Sequence, residues 1–387
     1  MNSTPGVIVI EGHIQGLSNT RSIGEYGIPV VVIDKHNCIA RYSKYCTKFY
    51  KCPNYNTQDF IEFLLYLGIN FNYKNWLLLP SNDHAVLAIA KHKVLLEKIF
   101  KIITPELEVI NNIYNKSLLL NIAQNLNIPI PATYYLENKI GINEIKNYPV
   151  LIKGKQGLDF YKSLKQKAFL AYDKKELQLH INNIDEKLPL SKIFIQELIP
   201  DVGNNKTISF CPFCINGEIK TFWMGIKLRE HPIRFGTATF AKSVYIKECH
   251  DQSVPLLKSL NYTGVCEIEY LLDPRDNKYK LIEINARTWL WVGLAKECGV
   301  NFAKIIYDYM NKKDIIYPDK YELEYYWINP VTDLFYTFIG IFKGKVNLKN
   351  YYKSLHNKKI SNAIFKKNDT MPAIYYTINI IKYKYNR

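Results

Sequence analysis

The stretch KLIEINARTWL, residues 280–290, sets a carboxylate, an amide and a guanidinium at every second position: Glu283, Asn285 and Arg287. On a strand, residues two apart share a face. The three polar groups therefore take one face, and Ile282, Ile284 and Ala286 take the other. The preceding apolar run GVCEIEYLL carries Glu267 and Glu269 at the same spacing. If the chain turns through residues 273–277, with Asp273 opposite Tyr279, Glu269 lies directly across from Glu283. Two facing carboxylates repel one another, and a divalent cation between them removes the repulsion. Mg2+ takes oxygen ligands, commonly one or two carboxylates completed by phosphate oxygens. The Asn285 side-chain oxygen is a third, neutral donor on the same face. The group predicts a metal–phosphate site whose register matters: a slip of one residue would put the two Glu on opposite faces.

The elements around this hairpin are readable in outline. GVIVIEGH followed by NTRSIGEYGIPVVVID gives strand, helix and strand within about 30 residues, a parallel βαβ unit. NWLLLPSNDHAVLAIAKHKVLLEKI adds another strand, a turn and a helix. The segment IEGHIQG is not the G-x-G-x-x-G fingerprint, so no dinucleotide site is expected there. In NKSLLLNIAQNLNIPIP, Leu119, Ile122, Ala123 and Leu126 fall at helical spacing, and Pro129 and Pro131 stop the helix. Strands follow at PVLIKGK and SKIFIQELIP. A hairpin is expected around Asn216-Gly217.

Composition bounds the function. Lys and Arg number 51 against 35 Asp and Glu, a net charge of +16. No Lys/Arg block marks a nucleic-acid arm, and the charge reads as spread over solvated faces. The basic, aromatic terminus IIKYKYNR is a candidate for weak peripheral membrane contact. No window is apolar for long enough to span a bilayer, and the N-terminus lacks a secretory pattern. The eight Cys are therefore expected as reduced, cytoplasmic thiols. Cys211-Pro-Phe-Cys214 has redox or zinc spacing, but it falls on an alternating strand with no second pair.

Taken together, these blocks resemble the ATP-grasp superfamily, within it the carboxylate–amine ligase-like branch. GVCEIEYLLDPRDNKYKLIEINAR is similar to that family's metal-binding hairpin, with Glu on one strand and Glu-x-Asn-x-Arg on the next. The resemblance implies that Glu269 and Glu283 hold Mg2+, that Glu283 bridges two ions (Mn2+ being an alternative), and that Asn285 holds the second. Arg287 would clamp a phosphate or the reacting carboxylate. IFIQELIP resembles the adenine hinge, which would set Gln196 toward the adenine amino group and the backbones of Glu197 and Ile199 along the ring edge. Lys153 in PVLIKGK and Lys116, preceded by Asn115 where the family is usually acidic, match its nucleotide lysines. GIKLREHPIRFGTATFAKSV resembles a block of the same branch, and Lys227 and Arg229 would share a strand face there and bind the γ-phosphate or an anionic substrate. The segment from Lys153 to Lys167 would be the lid, although it is poorer in glycine than the family's phosphate loop.

The implied fold is α/β and α+β, an ATP-grasp architecture with an N-terminal open α/β (pre-ATP-grasp) domain over residues 1–105. A two-lobed ATP-binding region follows over 106–312, with a lid lobe at about 150–195 and a metal-binding lobe at about 196–312. A small helical C-terminal extension occupies 313–387. The implied function is an ATP-dependent, ADP-forming ligase that joins a small-molecule carboxylic acid to an amine through an acyl phosphate, on amino-acid, peptide or surface-polymer precursors. The alternative is a non-catalytic ATP-binding sensor or scaffold of the same descent. No oligomeric state is implied.

Overall fold

The computed structural model describes residues 5–136, 141–201, 206–231, 236–342, 347–356 and 358–385. The N-terminal runs VIVI, VVVID and LLLP are apolar without alternation, as strands covered on both faces must be. They form the centre of a five-stranded parallel sheet in the order Cys46–Lys51, Val30–Asp34, Val7–Ile10, Leu77–Pro80, Lys101–Ile102. Val7 lies opposite Val30 on one side and Leu77 on the other. The chain winds away from Val7–Ile10 in both directions, so the strand ends at Ile10 and Pro80 flank a switch point, where open α/β sheets place ligands. Helix Asp83–Lys91 leaves that point, capped by the Asn82 side chain, which accepts from the Ala85 N–H at 2.8 Å.

Residues 133–197 build a smaller antiparallel sheet, ordered Thr133–Tyr135, Ile193–Glu197, Val150–Gly154, Phe169–Ala171. Its core is Ile152, Phe160, Leu177, Ile181 and Ile195. The expected lid loop is different from its description in sequence terms: Gly157–Leu164 is a helix, and its Phe160 packs where a Cβ on Gly154 would stand. A helix buries its own backbone groups, so this segment needs few glycines.

The third sheet is ordered Lys278–Asn285, Glu267–Asp273, Thr207–Ile215, Glu218–His231, Thr237–Ser243, Tyr326–Ile328, Ile360–Asn362. Asn216 (φ 50°) and Gly217 (φ 79°) make the expected hairpin turn. One face packs on helices Leu107–Tyr114, Lys116–Asn125 and Lys247–Ser259 through Phe210, Met224, Leu256 and Ile268. The other carries Trp223, Trp289 and Trp291 against Ile14, Leu17 and the first sheet. Cys211 lies in this second core and Cys214 in the first, so the C-x-x-C thiols face opposite ways, and all eight Cys are free. The C-terminal part is mostly helical (Pro330–Phe342, Leu348–Leu355, Met371–Tyr385), and two short strands from it extend the large sheet. It is tied back to the N-terminal sheet by Asp369, which accepts from Arg21 Nε at 2.8 Å, Ser43 Oγ at 2.7 Å and the Lys44 N–H at 2.8 Å. Among the described residues no helix is long and apolar enough to cross a membrane. The side chains of residues 380–387, the expected membrane contact, lie outside the described set, as do residues 232–235 of the Lys-x-Arg block.

Candidate active site

Glu269 lies directly opposite Glu283. The route differs from the expected one. Asp273 pairs with Lys278, not Tyr279, which by itself would shift the register by one residue. A bulge between the Glu269 and Tyr270 rungs, with Ile282 as the extra residue, restores it. The same bulge corrects the apolar face: Leu281, Ile284 and Ala286 enter the core, and Ile282 is only half-buried.

Each facing carboxylate holds a lysine. Lys116 Nζ is 2.5 Å from Glu283 Oε2, and Lys227 Nζ is 2.9 Å from Glu269 Oε1. Lys116 arrives as the first residue of helix Lys116–Asn125. Asn115 caps that helix by accepting from the Ser117 N–H at 3.1 Å, and the Lys116 N–H donates to the Lys155 carbonyl at 2.7 Å. The helix start is thereby laced to the chain just past strand Val150–Gly154. Lys116, a neighbour at short range, is the main reason Glu283 is held down to about 2, against the opposing effect of burial. Burial opposes charge on Lys227 and Lys116 too, but the surrounding carboxylates, led by Glu269 and Glu283 respectively, raise both above the ordinary lysine value.

Lys153 comes from the other sheet, and among the described residues no carboxylate pairs with it. Its Nζ donates to Gln196 Oε1 at 2.8 Å. Burial, and then the like charge of Lys116, bring its ammonium down to about 7, with Glu283 partly offsetting them. Gln196 therefore departs from its expected place on adenine. Its carbonyl accepts from Lys153 and its amide donates to Thr133 Oγ1 at 3.1 Å. Glu197 ends the same strand. Its side chain pairs with Arg275 at 2.7 Å and Lys280 at 3.3 Å, and its N–H donates to Ala132 at 2.9 Å. The side chain and N–H of Glu197 are thus both engaged within the protein, beside buried Ile199.

Arg287 reaches across to the first sheet. Its Nε is 2.9 Å from Asp83 Oδ1, its Nη2 is 3.2 Å from Asp83 Oδ2, and Nη2 also lies 3.4 Å from Asn285 Oδ1. Arg229 does not join the cluster. A bulge at Leu228 separates its rung from that of Lys227, so the two do not share a face. Its guanidinium is instead held by Asp333 (Nε 2.8 Å, Nη2 2.7 Å) and Ser354 (2.8 Å), over the ring of Phe240.

Two members of the site were not assigned from the sequence. Glu267 is buried, accepts from Ser209 Oγ at 2.8 Å, and is raised to about 7 by burial and then by Glu269. Its spacing from Glu269 was the available signal. Asp83 follows a helix cap 204 positions before Arg287, and nothing local marks it as that residue's partner.

The cluster thus alternates four cations (Lys116, Lys153, Lys227, Arg287) with four acids (Asp83, Glu267, Glu269, Glu283), between two sheets and a helix start. Among the described residues no three His, Cys, Asp or Glu side chains form a ready-made metal site. The donors of Glu269, Glu283 and Asn285 are hard oxygens from one hairpin, which suit Mg2+ when a phosphate completes the sphere. The two ammonium groups now against the carboxylates occupy the place of such a cation, so the residues fit it.

Comparison with known proteins agrees with this geometry. The family model described as carbamoyl-phosphate synthase L chain, ATP binding domain, matches residues 233–305, the span that holds the hairpin. A D-aspartate ligase of Enterococcus faecium (strain Aus0004) is 22% identical over 331 residues, covering 82% of this chain and 77% of the relative. Biotin carboxylase of Campylobacter jejuni, solved as a complex with beta-gamma-ATP, superposes with a TM-score of 0.66 at 14% identity, covering 83% of this chain and 74% of that one. An L-amino acid ligase of Bacillus licheniformis gives 0.61 at 13% identity, covering 80% and 75%. The chain thus shares the fold of these enzymes over most of its length and is similar in sequence to an ATP-binding domain at the hairpin and to a D-aspartate ligase.

Proposed function

We propose that this chain joins a carboxylate to an amine at the expense of ATP, releasing ADP and phosphate. The observation that carries the proposal is the facing pair Glu269/Glu283, ringed by Lys116, Lys153, Lys227 and Arg287. A ring of this kind has little covalent chemistry to perform. Its work is to place charged groups and neutralise them, which is what phosphoryl transfer asks of a protein. The terminal phosphoryl group passes to the carboxylate, and the amine displaces phosphate from the acyl phosphate. Lys153 and Lys116 would meet the triphosphate from the side of the smaller sheet, Lys227 would face its far end, and Arg287, which pairs with Asp83 beside the parallel sheet's switch point, would meet the acid. Glu269, Glu283 and Asn285 would hold two Mg2+, or Mn2+, and the metal supplies Lewis-acid polarisation of the phosphate oxygens. The carbonyl of Glu197 and the backbone at Ile199 would meet the adenine edge. Helix Gly157–Leu164, joined to the lysine strand, would cover the acyl phosphate and exclude water.

The relative's name makes D-aspartate the first amine or acid to test, within a substrate class of amino acids, peptides or surface-polymer precursors. The free thiols support a reducing, cytoplasmic setting. The experiment is an ADP-release screen of amino acids in pairs, with D-aspartate in every set and products weighed by mass spectrometry. ADP release that needs both substrates, and is lost in Glu283→Ala, is the expected result. ATP binding with no turnover on any pair would favour the sensor reading instead.

A further inference from the structure

Helix Pro330–Phe342, sequence PVTDLFYTFIGIF, is packed inside out. The two of its residues that are buried are Asp333 and Thr337. Leu334, Phe338, Ile339 and Phe342 are exposed, Phe342 to 89%. At about 100° per residue these four cover an arc of about 140°, and the buried polar pair lies on the opposite side. A helix of a soluble body normally turns the apolar stripe inward.

The inversion is fixed by a buried network. Asp333 accepts from Arg229, from Thr239 Oγ1 at 2.8 Å and from the Tyr351 hydroxyl at 3.1 Å. Rotating the helix to bury its phenylalanines would strand both Asp333 and Arg229, and breaking such a pair is strongly unfavourable. Helix Leu348–Leu355 repeats the pattern. Tyr351 and Ser354 reach inward to Asp333 and Arg229, while Leu348, Lys349, Tyr352 and Lys353 are exposed.

The sequence of this part is rich in lysine, although Lys359 pairs with Glu322, and Lys366 with Glu25 and Glu297. Residues 334–368 contain eight Lys and no Asp, Glu or Arg, so 35 residues carry half of the +16 net charge. Lys343 and Lys345 fall between the two helices in sequence, and Lys349 and Lys353 lie beside the exposed Leu348 and Tyr352. An apolar stripe with the exposed Lys349 and Lys353 at its margin has the makeup of an interfacial helix. Lysine clusters of this size bind anionic lipid headgroups.

We propose that helices Pro330–Phe342 and Leu348–Leu355 form a docking surface for an anionic phospholipid membrane, entered by Leu334, Phe338, Ile339 and Phe342 and held at the headgroups by Lys349 and Lys353. The surface is joined to the active site by a short path. Asp333 grips Arg229, two residues along the strand from Lys227, which pairs with Glu269. Membrane contact would thus place the cleft beside the lipid surface without altering its residues.

The test is co-sedimentation of the full chain with vesicles of phosphatidylcholine alone or with about one third phosphatidylglycerol, at low and high salt. The expected result is binding to the anionic vesicles only, weakened by salt. Phe338→Glu/Phe342→Glu should reduce the partition coefficient at least tenfold, and Lys349→Glu/Lys353→Glu, which touches exposed side chains alone, should do the same. Both variants should keep the wild-type melting temperature and ADP release in solution. Equal binding to neutral and anionic vesicles, or unchanged binding in both variants, overturns the proposal. So does a wild-type chain that is dimeric by light scattering, ignores vesicles, and becomes monomeric on Phe338→Glu/Phe342→Glu, for then a second copy covers the face.

Discussion

Lys153 should take up a proton when nucleotide binds. Without ligand its ammonium lies at about 7, brought down by burial and then by Lys116. A triphosphate against it favours the charged form and returns it toward the ordinary value near 10.4. At about pH 8 a group with a pKa of 7 is only ~10% protonated, so binding draws in about 0.9 proton per chain. The sign follows directly. Below 7 the lysine is already charged and affinity is at its full value. As pH rises above 7 the proton must come from solvent, and affinity falls by about tenfold per unit until the bound-state pKa is reached. Calorimetry of ATP binding at about pH 8 in two buffers of different ionisation enthalpy counts the protons, with a chelator present so that no metal contributes. Lys153→Arg keeps its charge throughout and provides the reference, because protons from the nucleotide cancel in the difference. Equal proton counts in wild type and Lys153→Arg, or an affinity that is flat between about pH 8 and 9, would refute the reasoning.

Two further outcomes follow from the same geometry. The Glu267 carboxyl is raised to about 7 by burial and then by Glu269, so the fold favours its protonated form. That stability is complete below about 4.5 and is lost as pH rises through 7. Glu267→Gln should therefore melt above the wild type by a margin that grows from about pH 5 to 7 and then levels off; a margin independent of pH contradicts this. Asp369→Ala leaves Arg21 buried without its carboxylate and should cost ~3–5 kcal/mol in denaturant unfolding. A loss under about 1 kcal/mol would mean that the C-terminal part is not held by this pair.

The parts of this structure that sequence made legible are those written in local pattern. The runs at Val7–Ile10 and Val30–Asp34, the turn at Asn216-Gly217 and the helix from Lys116 follow from alternation, turn chemistry and 3.6-residue spacing. What escaped depends on bulges and distant partners. The expected turn of the metal hairpin was one residue long of the observed Asp273–Lys278 rung, yet the Glu269–Glu283 facing was right, because the bulge at Ile282 cancels the error. The bulge at Leu228 acts in the opposite sense. Two-residue spacing put Arg229 beside Lys227, and one extra residue sent it to Asp333. Nothing local in the sequence shows that Lys153 approaches Gln196 from the neighbouring strand. The lack of glycine after Lys153, read as a departure in a loop, is the ordinary composition of helix Gly157–Leu164.

Whether Glu269 and Glu283 exchange their lysines for a divalent cation is most directly tested by counting Mn2+ with electron paramagnetic resonance, in the presence of ATP. The wild-type chain should hold Mn2+ more tightly than ATP alone does. Glu269→Gln and Glu283→Gln should each weaken that binding at least tenfold while ATP itself still binds. Wild-type Mn2+ affinity in both variants would show that the facing carboxylates serve only to seat Lys227 and Lys116, and the account of the site would fail.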